Sequence, residues 1–112
     1  MKSAITTHVL DTSIGRPAEN VPAVLDRITE TGEERLGRSA TNADGRITDL
    51  LESPLDVGRY RITFDTAAYF EGRGVPCFFP EVAIVFEVTD AAQHHHVPLL
   101  LSPFGYSTYR GT

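Results

Sequence analysis

The sequence predicts an all-β protein, a sandwich of two antiparallel sheets with one short helix near residues 66–73. Three observations lead to this fold class. Apolar and polar residues alternate in several short segments, which is the periodicity of half-buried strands. Turn-forming residues separate these segments about every ten residues, a spacing typical of a two-sheet sandwich. One stretch, at 66–72, instead combines alanines with a capping residue and a terminal glycine.

Six strands are predicted where the alternation is clear, and a last strand is expected in the tail. The six lie at 4–11, 23–29, 35–41, 59–65, 81–88 and 95–102. In the clearest of them, Tyr60, Ile62 and Phe64 share one face and polar residues take the other. The segment 81–88 is apolar on both faces, as expected of a strand well inside a sheet.

The helix is predicted to lie between two strands. Thr66 or Asp65 is expected to cap its first turn, and Gly72 or Gly74 to end it. The proline-containing stretches at 16–22 and 76–80 are interpreted as ordered loops.

Composition limits the possible partners. The 112 residues include 41% hydrophobic residues, enough for one modest core, so a single domain spanning 1–112 is expected. Ten basic against fifteen acidic residues give a net charge of -5, which disfavours a nucleic-acid partner. The longest apolar runs, at 82–86 and 99–101, are far shorter than the roughly 20 residues that span a bilayer, so no membrane partner is expected.

The lone cysteine, Cys77, excludes an internal disulfide and suits a reducing compartment. Because no secretory signal is readable at the N-terminus, residence in the cytoplasm is expected. Neither a thiolate-stabilising motif nor a base adjoins Cys77, so we interpret it as a core residue rather than a nucleophile.

Two isolated residues could carry chemistry. On the first predicted strand, His8 shares a face with Thr6 and Leu10. Arg46 directly follows the turn AsnAlaAspGly at 42–45, and its guanidinium suits recognition of planar carbonyl or anionic groups. Taken singly, each is better explained as a structural or solvated residue.

The run HisHisHis at 94–96 is more informative. In an extended strand His94 and His96 point to one face and His95 to the other. Such a pair can supply two zinc ligands, but a catalytic zinc site needs a third, and the sequence has neither a cysteine cluster nor an HExxH motif. His8 is the one candidate for that third ligand. We therefore expect no metal, and a general base is the alternative role for one imidazole.

The tail is rich in hydroxyl groups. They belong to Tyr106, Ser107, Thr108, Tyr109 and Thr112, and they surround Arg110. Aromatic and β-branched residues there predict a tied-down final strand rather than a frayed end. An edge hairpin with solvent-facing hydroxyls explains the same residues without any function.

Four features of the sequence belong together. They are HisValLeuAsp at 8–11, GlyArgProAla at 15–18, Arg46 after AspGly, and HisHisHisValProLeuLeuLeuSerProPheGlyTyrSerThrTyrArgGlyThr at 94–112. In combination they resemble the 5-hydroxyisourate hydrolases, the transthyretin-related enzymes of urate breakdown. The resemblance spans the whole chain and implies a transthyretin-like sandwich. It also implies hydrolysis of 5-hydroxyisourate to 2-oxo-4-hydroxy-4-carboxy-5-ureidoimidazoline, without metal or cofactor, by a homotetramer that is a dimer of dimers.

The resemblance further implies a set of site residues. Catalysis falls to His8, Arg46 and His96, and substrate binding to His8, Arg46, Tyr109 and Thr112. In the implied mechanism, His8 and His96 orient and deprotonate a water that attacks the C6 carbonyl, while Arg46 holds the substrate.

Two positions depart from the family pattern. Thr112 replaces the usual terminal serine but keeps a hydroxyl, and His95 replaces a common tyrosine on the face away from the site. A non-catalytic carrier of transthyretin type is the alternative function, and it predicts hydrophobic or acidic residues where His8, Arg46 and His96 stand. A generic interaction module is a second rival, which predicts that these polar residues are scattered over the surface.

Overall fold

The computed structural model describes residues 3–112, which form nine strands and one helix. Their bounds are β1 (Ile5–Asp11), β2 (Arg16–Pro17), β3 (Pro22–Thr29), β4 (Gly32–Ala40), β5 (Arg46–Ile47), β6 (Gly58–Phe64), α1 (Thr66–Gly72), β7 (Val82–Val88), β8 (His95–Ser102) and β9 (Gly105–Thr108). All six predicted strands are present, and β9 is the expected strand in the tail. The two-residue strand β2 lies in the stretch 16–22, which the sequence predicts to be a loop, because two residues are too few to show alternation.

The strands form the predicted two-sheet sandwich. One sheet has the order β2-β1-β8-β9, with β5 also paired to β1, and the other has the order β4-β3-β6-β7. The prediction of antiparallel pairing fails at one place, since β1 and β8 run parallel, whereas the other strand pairs among residues 3–112 are antiparallel. Parallel neighbours need a long crossover, and here the second sheet and α1 together provide it.

The core lies between the two sheets. Inward residues of the first sheet include Ile5, Val9 and Leu99, and those of the second include Ile62 and Phe64, all fully buried. This alternation in burial follows the period-two pattern of the sequence. Each such side chain contributes about 1.5–3 kcal/mol by leaving water, so the core fixes which face of each strand points outward.

The register of the first sheet gathers distant parts of the chain. In the parallel pair, Thr6 lies opposite His96, and in the short antiparallel pair His8 lies opposite Arg46. Beyond β9, Gly111 bridges back to His96. Both ends of the described chain and one mid-chain turn therefore meet on this sheet.

The helix α1 begins where the sequence predicts. The Asp65 carboxylate accepts a hydrogen bond from the Ala68 amide at 3.0 Å, which is an N-cap. The helix ends at a cap on Arg73, followed by Gly74 with φ of 69°. Cys77 lies just beyond, half-buried and packed against the core as expected. Among residues 3–112, no helix has both the length and the apolar character needed to cross a membrane.

A buried polar contact ties α1 to the end of β1. The Tyr69 hydroxyl donates to Asp11 Oδ2 at 2.7 Å, and Asp11 Oδ1 accepts from the Ser13 amide at 3.0 Å. Burial, together with the bond to the Asp11 carboxylate and its negative charge, raises the pKa of Tyr69 to about 12. The helix is thus held by a hydrogen bond as well as by apolar packing.

Replacing Tyr69 with phenylalanine should lower the free energy of unfolding by about 2 kcal/mol, because a buried carboxylate loses a donor. Urea denaturation measures this loss, and Tyr106→Phe, at an exposed ring, is the matched control. In an absorbance titration of the wild type, one tyrosine should ionise near pH 12, and that step should vanish in Tyr69→Phe. Equal stability of the two variants would contradict the role given to this bond.

Candidate active site

A polar cavity of about 340 Å³ lies on the outer face of the first sheet. Its walls come from β1, from β5 and the residue after it, from the start of β8 and from the last residue of the chain. They consist of Thr6, Thr7, Arg46, Thr48, His94, His96 and Thr112. Three of the residues predicted for the site, Arg46, His96 and Thr112, are therefore brought together here.

Two imidazoles form one wall of this cavity. The Thr6 hydroxyl oxygen lies 3.0 Å from His94 Nε2 and 2.8 Å from His96 Nδ1. The two rings lie 6.3 Å apart between centroids and are inclined by 24°. The predicted shared face of His94 and His96 is confirmed, and His95 lies on the opposite face, inside the sandwich.

The tight turn before β5 positions Arg46. The Asn42 side-chain oxygen accepts hydrogen bonds from the amides of Asp44 and Arg46, both at 2.9 Å. Gly45 has φ of 76°, and a Cβ there would collide with the Val9 carbonyl oxygen, so only glycine fits the turn. Arg46 makes no ion pair with any residue in the described range 3–112.

Thr112 reaches the cavity because the backbone of the preceding residue, Gly111, passes close to His96. The Gly111 amide donates to the His96 carbonyl at 2.9 Å. A Cβ at Gly111 would lie 2.6 Å from His96 Cδ2, so the tail can cross this imidazole only at a glycine.

The other two predicted site residues do not line the cavity. His8 lies next to it, opposite Arg46, and its Nε2 is 2.8 Å from the Asp44 carbonyl oxygen. A carbonyl only accepts, so Nε2 carries the proton of this bond. Tyr109 is 58% exposed and borders a different cavity, near β7.

Four cavity residues were missed by sequence reasoning, namely Thr6, Thr7, Thr48 and His94. Two of them left a signal, since Thr6 shares a strand face with His8, and His94 shares one with His96. Nothing in the sequence points to Thr48.

His95 is buried beside a cavity of about 140 Å³ that also borders Phe86, Tyr109 and Arg110. The side chain is 5% exposed, and its Nδ1 has no hydrogen-bond partner in the described part of the chain. Burial, followed by the positive charge of Arg110, lowers the pKa of His95.

A larger cavity, of about 820 Å³, lies elsewhere, between α1 and the loop around β2. Arg16, Glu19, Tyr69 and Arg73 are among its lining residues, and the lining contains no histidine. In the smaller cavity two imidazoles lie within hydrogen-bond distance of a hydroxyl, and an imidazole suits general-base catalysis at neutral pH. The smaller histidine cavity is therefore the better candidate for catalysis.

Residues 5–111 match the model of the HIUase/Transthyretin family. The chain belongs to this family. The 5-hydroxyisourate hydrolase of Salmonella dublin is 42% identical over 109 residues, which are 96% of this chain and 80% of the relative. The solved structure of Klebsiella pneumoniae 5-hydroxyisourate hydrolase has a TM-score of 0.86 at 41% identity, and the match covers 96% of this chain and 97% of that one.

Transthyretin from sea bream, solved with thyroxine, has a TM-score of 0.91 at 31% identity, covering 98% of this chain and 96% of that one. A 5-hydroxyisourate hydrolase and a thyroxine-bound transthyretin thus share one backbone. The side chains of the cavity must therefore distinguish between them.

The free energy of unfolding should fall as the pH drops below about 6.5, the ordinary pKa of histidine. The reason is that the unfolded chain protonates His95 at its usual pKa, whereas the folded chain resists protonation. Stability linked to His95 is thus present above this pH and lost below it. Urea denaturation at pH 5 to 8 measures the effect, and His95→Phe should flatten the pH dependence. If the free energy of unfolding depends on pH in the same way in the wild type and in His95→Phe, this role of His95 is contradicted.

Proposed function

We propose that this chain hydrolyses 5-hydroxyisourate to 2-oxo-4-hydroxy-4-carboxy-5-ureidoimidazoline in urate degradation. The observation that carries the proposal is a cavity that holds two imidazoles, the Arg46 guanidinium and Thr112. A relative named 5-hydroxyisourate hydrolase, 42% identical over nearly the whole chain, supports the same substrate.

In the proposed mechanism, His96 takes a proton from a water molecule, and the oxygen attacks the C6 carbonyl of the substrate. His96 is assigned this role because it lines the cavity. His8, opposite Arg46 and with its Nε2 engaged by the Asp44 carbonyl, orients the water. The C6–N bond then breaks, and the departing nitrogen receives the proton.

Arg46 supplies the positive charge of the proposed site. The substrate anion, and the oxyanion that develops on attack, both carry charge that a guanidinium stabilises by charge-assisted hydrogen bonds. With no ion-pair partner among residues 3–112, the guanidinium is available to the substrate. The Thr112 hydroxyl is proposed to fix the orientation of the ring.

The active assembly is proposed to be a homotetramer, a dimer of dimers. Strands β7 and β9 lie at the open ends of their sheets, where unpaired backbone groups favour pairing with another copy. Phe78 and Phe104 are 70% and 71% exposed, which is unusual for large apolar rings unless they are covered. Tyr109, exposed and away from the cavity, is proposed to join a site only in the assembly.

The single cysteine supports residence in the cytoplasm.

A non-catalytic carrier is the alternative, favoured by the TM-score of 0.91 to sea bream transthyretin solved with thyroxine. The cavity of this chain is lined by imidazoles, hydroxyls and a guanidinium, with no large apolar residue. This lining suits a polar, anionic substrate better than an apolar ligand.

The proposed hydrolase activity is tested with 5-hydroxyisourate that urate oxidase generates from urate. The decay of the ultraviolet absorbance of 5-hydroxyisourate is followed after this protein is added. We expect His96→Asn to lower kcat about 100-fold or more, because the proposed base is lost, with a smaller effect on KM. Arg46→Gln should lower kcat/KM, whereas Arg38→Gln, at an exposed arginine on the other sheet, should not. Wild-type decay at the spontaneous rate would exclude the hydrolase and leave the carrier.

The assembly is tested by sedimentation equilibrium. We expect the wild-type protein to have four times the mass of one chain, and Phe104→Lys to reduce it, because a charge would be buried at the covered ring. Glu52→Lys is the control, since this residue is exposed and already charged. A monomeric wild type would contradict the tetramer.

A further inference from the structure

The Thr6 hydroxyl stands between two imidazoles in the candidate site. Its oxygen lies 3.0 Å from His94 Nε2 and 2.8 Å from His96 Nδ1, and the residue is only 4% exposed. Pairing between β1 and β8 places Thr6 directly opposite His96, and the β-branched side chain has few rotamers. The hydroxyl is therefore held in position by the backbone.

The number of protons at this hydroxyl limits the states of both rings. A threonine hydroxyl donates one hydrogen bond and can accept two. Within residues 3–112, the two imidazole nitrogens are its only hydrogen-bond partners. The hydroxyl proton is itself paired only if the hydroxyl donates to one ring and accepts from the other. In that arrangement one of the facing nitrogens carries a proton and the other does not.

We propose that Thr6 and His94 form a proton relay for His96, an inference that rests on the proposed hydrolase function. In the resting state His96 Nδ1–H donates to Thr6 Oγ1, and the Thr6 hydroxyl donates to His94 Nε2. When His96 Nε2 takes a proton from water, its Nδ1 proton passes to Thr6 Oγ1. The Thr6 hydroxyl proton passes to His94 Nε2 at the same time. Thr6 Oγ1 gains one proton and loses one, and His96 gains one at Nε2 and loses one at Nδ1, so both end neutral. His94 gains the one extra proton at Nε2 and ends as the imidazolium.

The relay moves the positive charge toward solvent. His94 is exposed, whereas His96 is half-buried, and a charged ring is less costly where water surrounds it. When the C6–N bond breaks, the reverse transfer returns a proton through His96 Nε2 to the departing nitrogen.

Activity of hydroxyl variants tests the relay. Thr6→Val keeps the shape of the side chain but removes the hydroxyl, and we expect kcat to fall about 10- to 100-fold with little change in KM. Thr6→Ser should recover most of the activity, because it restores the hydroxyl. His94→Gln, which can bond to Thr6 but cannot accept a proton to become a cation, should resemble Thr6→Val. Thr63→Val, on the other sheet, is the neutral control.

Nitrogen-15 NMR of the imidazoles gives a readout that does not depend on activity. In the wild type, one of the two nitrogens His94 Nε2 and His96 Nδ1 should be protonated and the other not. In Thr6→Val, the protonation state of one nitrogen should no longer depend on that of the other. Two protonated or two unprotonated nitrogens in the wild type would overturn the relay. Wild-type kcat in Thr6→Val would do the same. Absence of wild-type turnover would instead overturn the hydrolase, and the NMR result would still decide whether Thr6 couples the two rings.

Discussion

The parallel ladder between β1 and β8 is the constraint on which the rest of the structure depends. Seven residue pairs, from Ile5 with His95 to Asp11 with Leu101, join the two strands. On either side of this pair, β5 delivers Arg46 and β9 leads to Thr112. Because the crossover between β1 and β8 contains the whole second sheet, the cavity can form only when both sheets have formed.

The core decides the geometry of the site through this ladder. A slip of one residue would send Ile5 and Val9 outward and Thr6 inward. Burial of each apolar side chain contributes about 1.5–3 kcal/mol, whereas a hydroxyl–imidazole hydrogen bond contributes only about 1 kcal/mol. The apolar residues therefore hold the register, and the polar pair of His94 and His96 follows from it.

Two glycines let the backbone approach the site closely. Gly45 shapes the turn that presents Arg46, and Gly111 lets the tail cross His96. The family fold accommodates a hydrolase and a thyroxine-bound transthyretin at TM-scores of 0.86 and 0.91. Differences in function within this fold must therefore come from side chains placed on a common backbone, as they do at this cavity.

The sequence by itself determined which residues of each strand share a face, where α1 begins, and which family the chain resembles. Alternation and capping are local properties, so Tyr60, Asp65 and the pair of His94 and His96 could be read without a structure. Only the tertiary structure decided that β1 and β8 run parallel, that Thr6 lies between the two imidazoles, and that Tyr109 does not line the cavity of Arg46 and Thr112. The direction and partner of a strand depend on packing between residues far apart in the chain, and period-two alternation is the same for either direction.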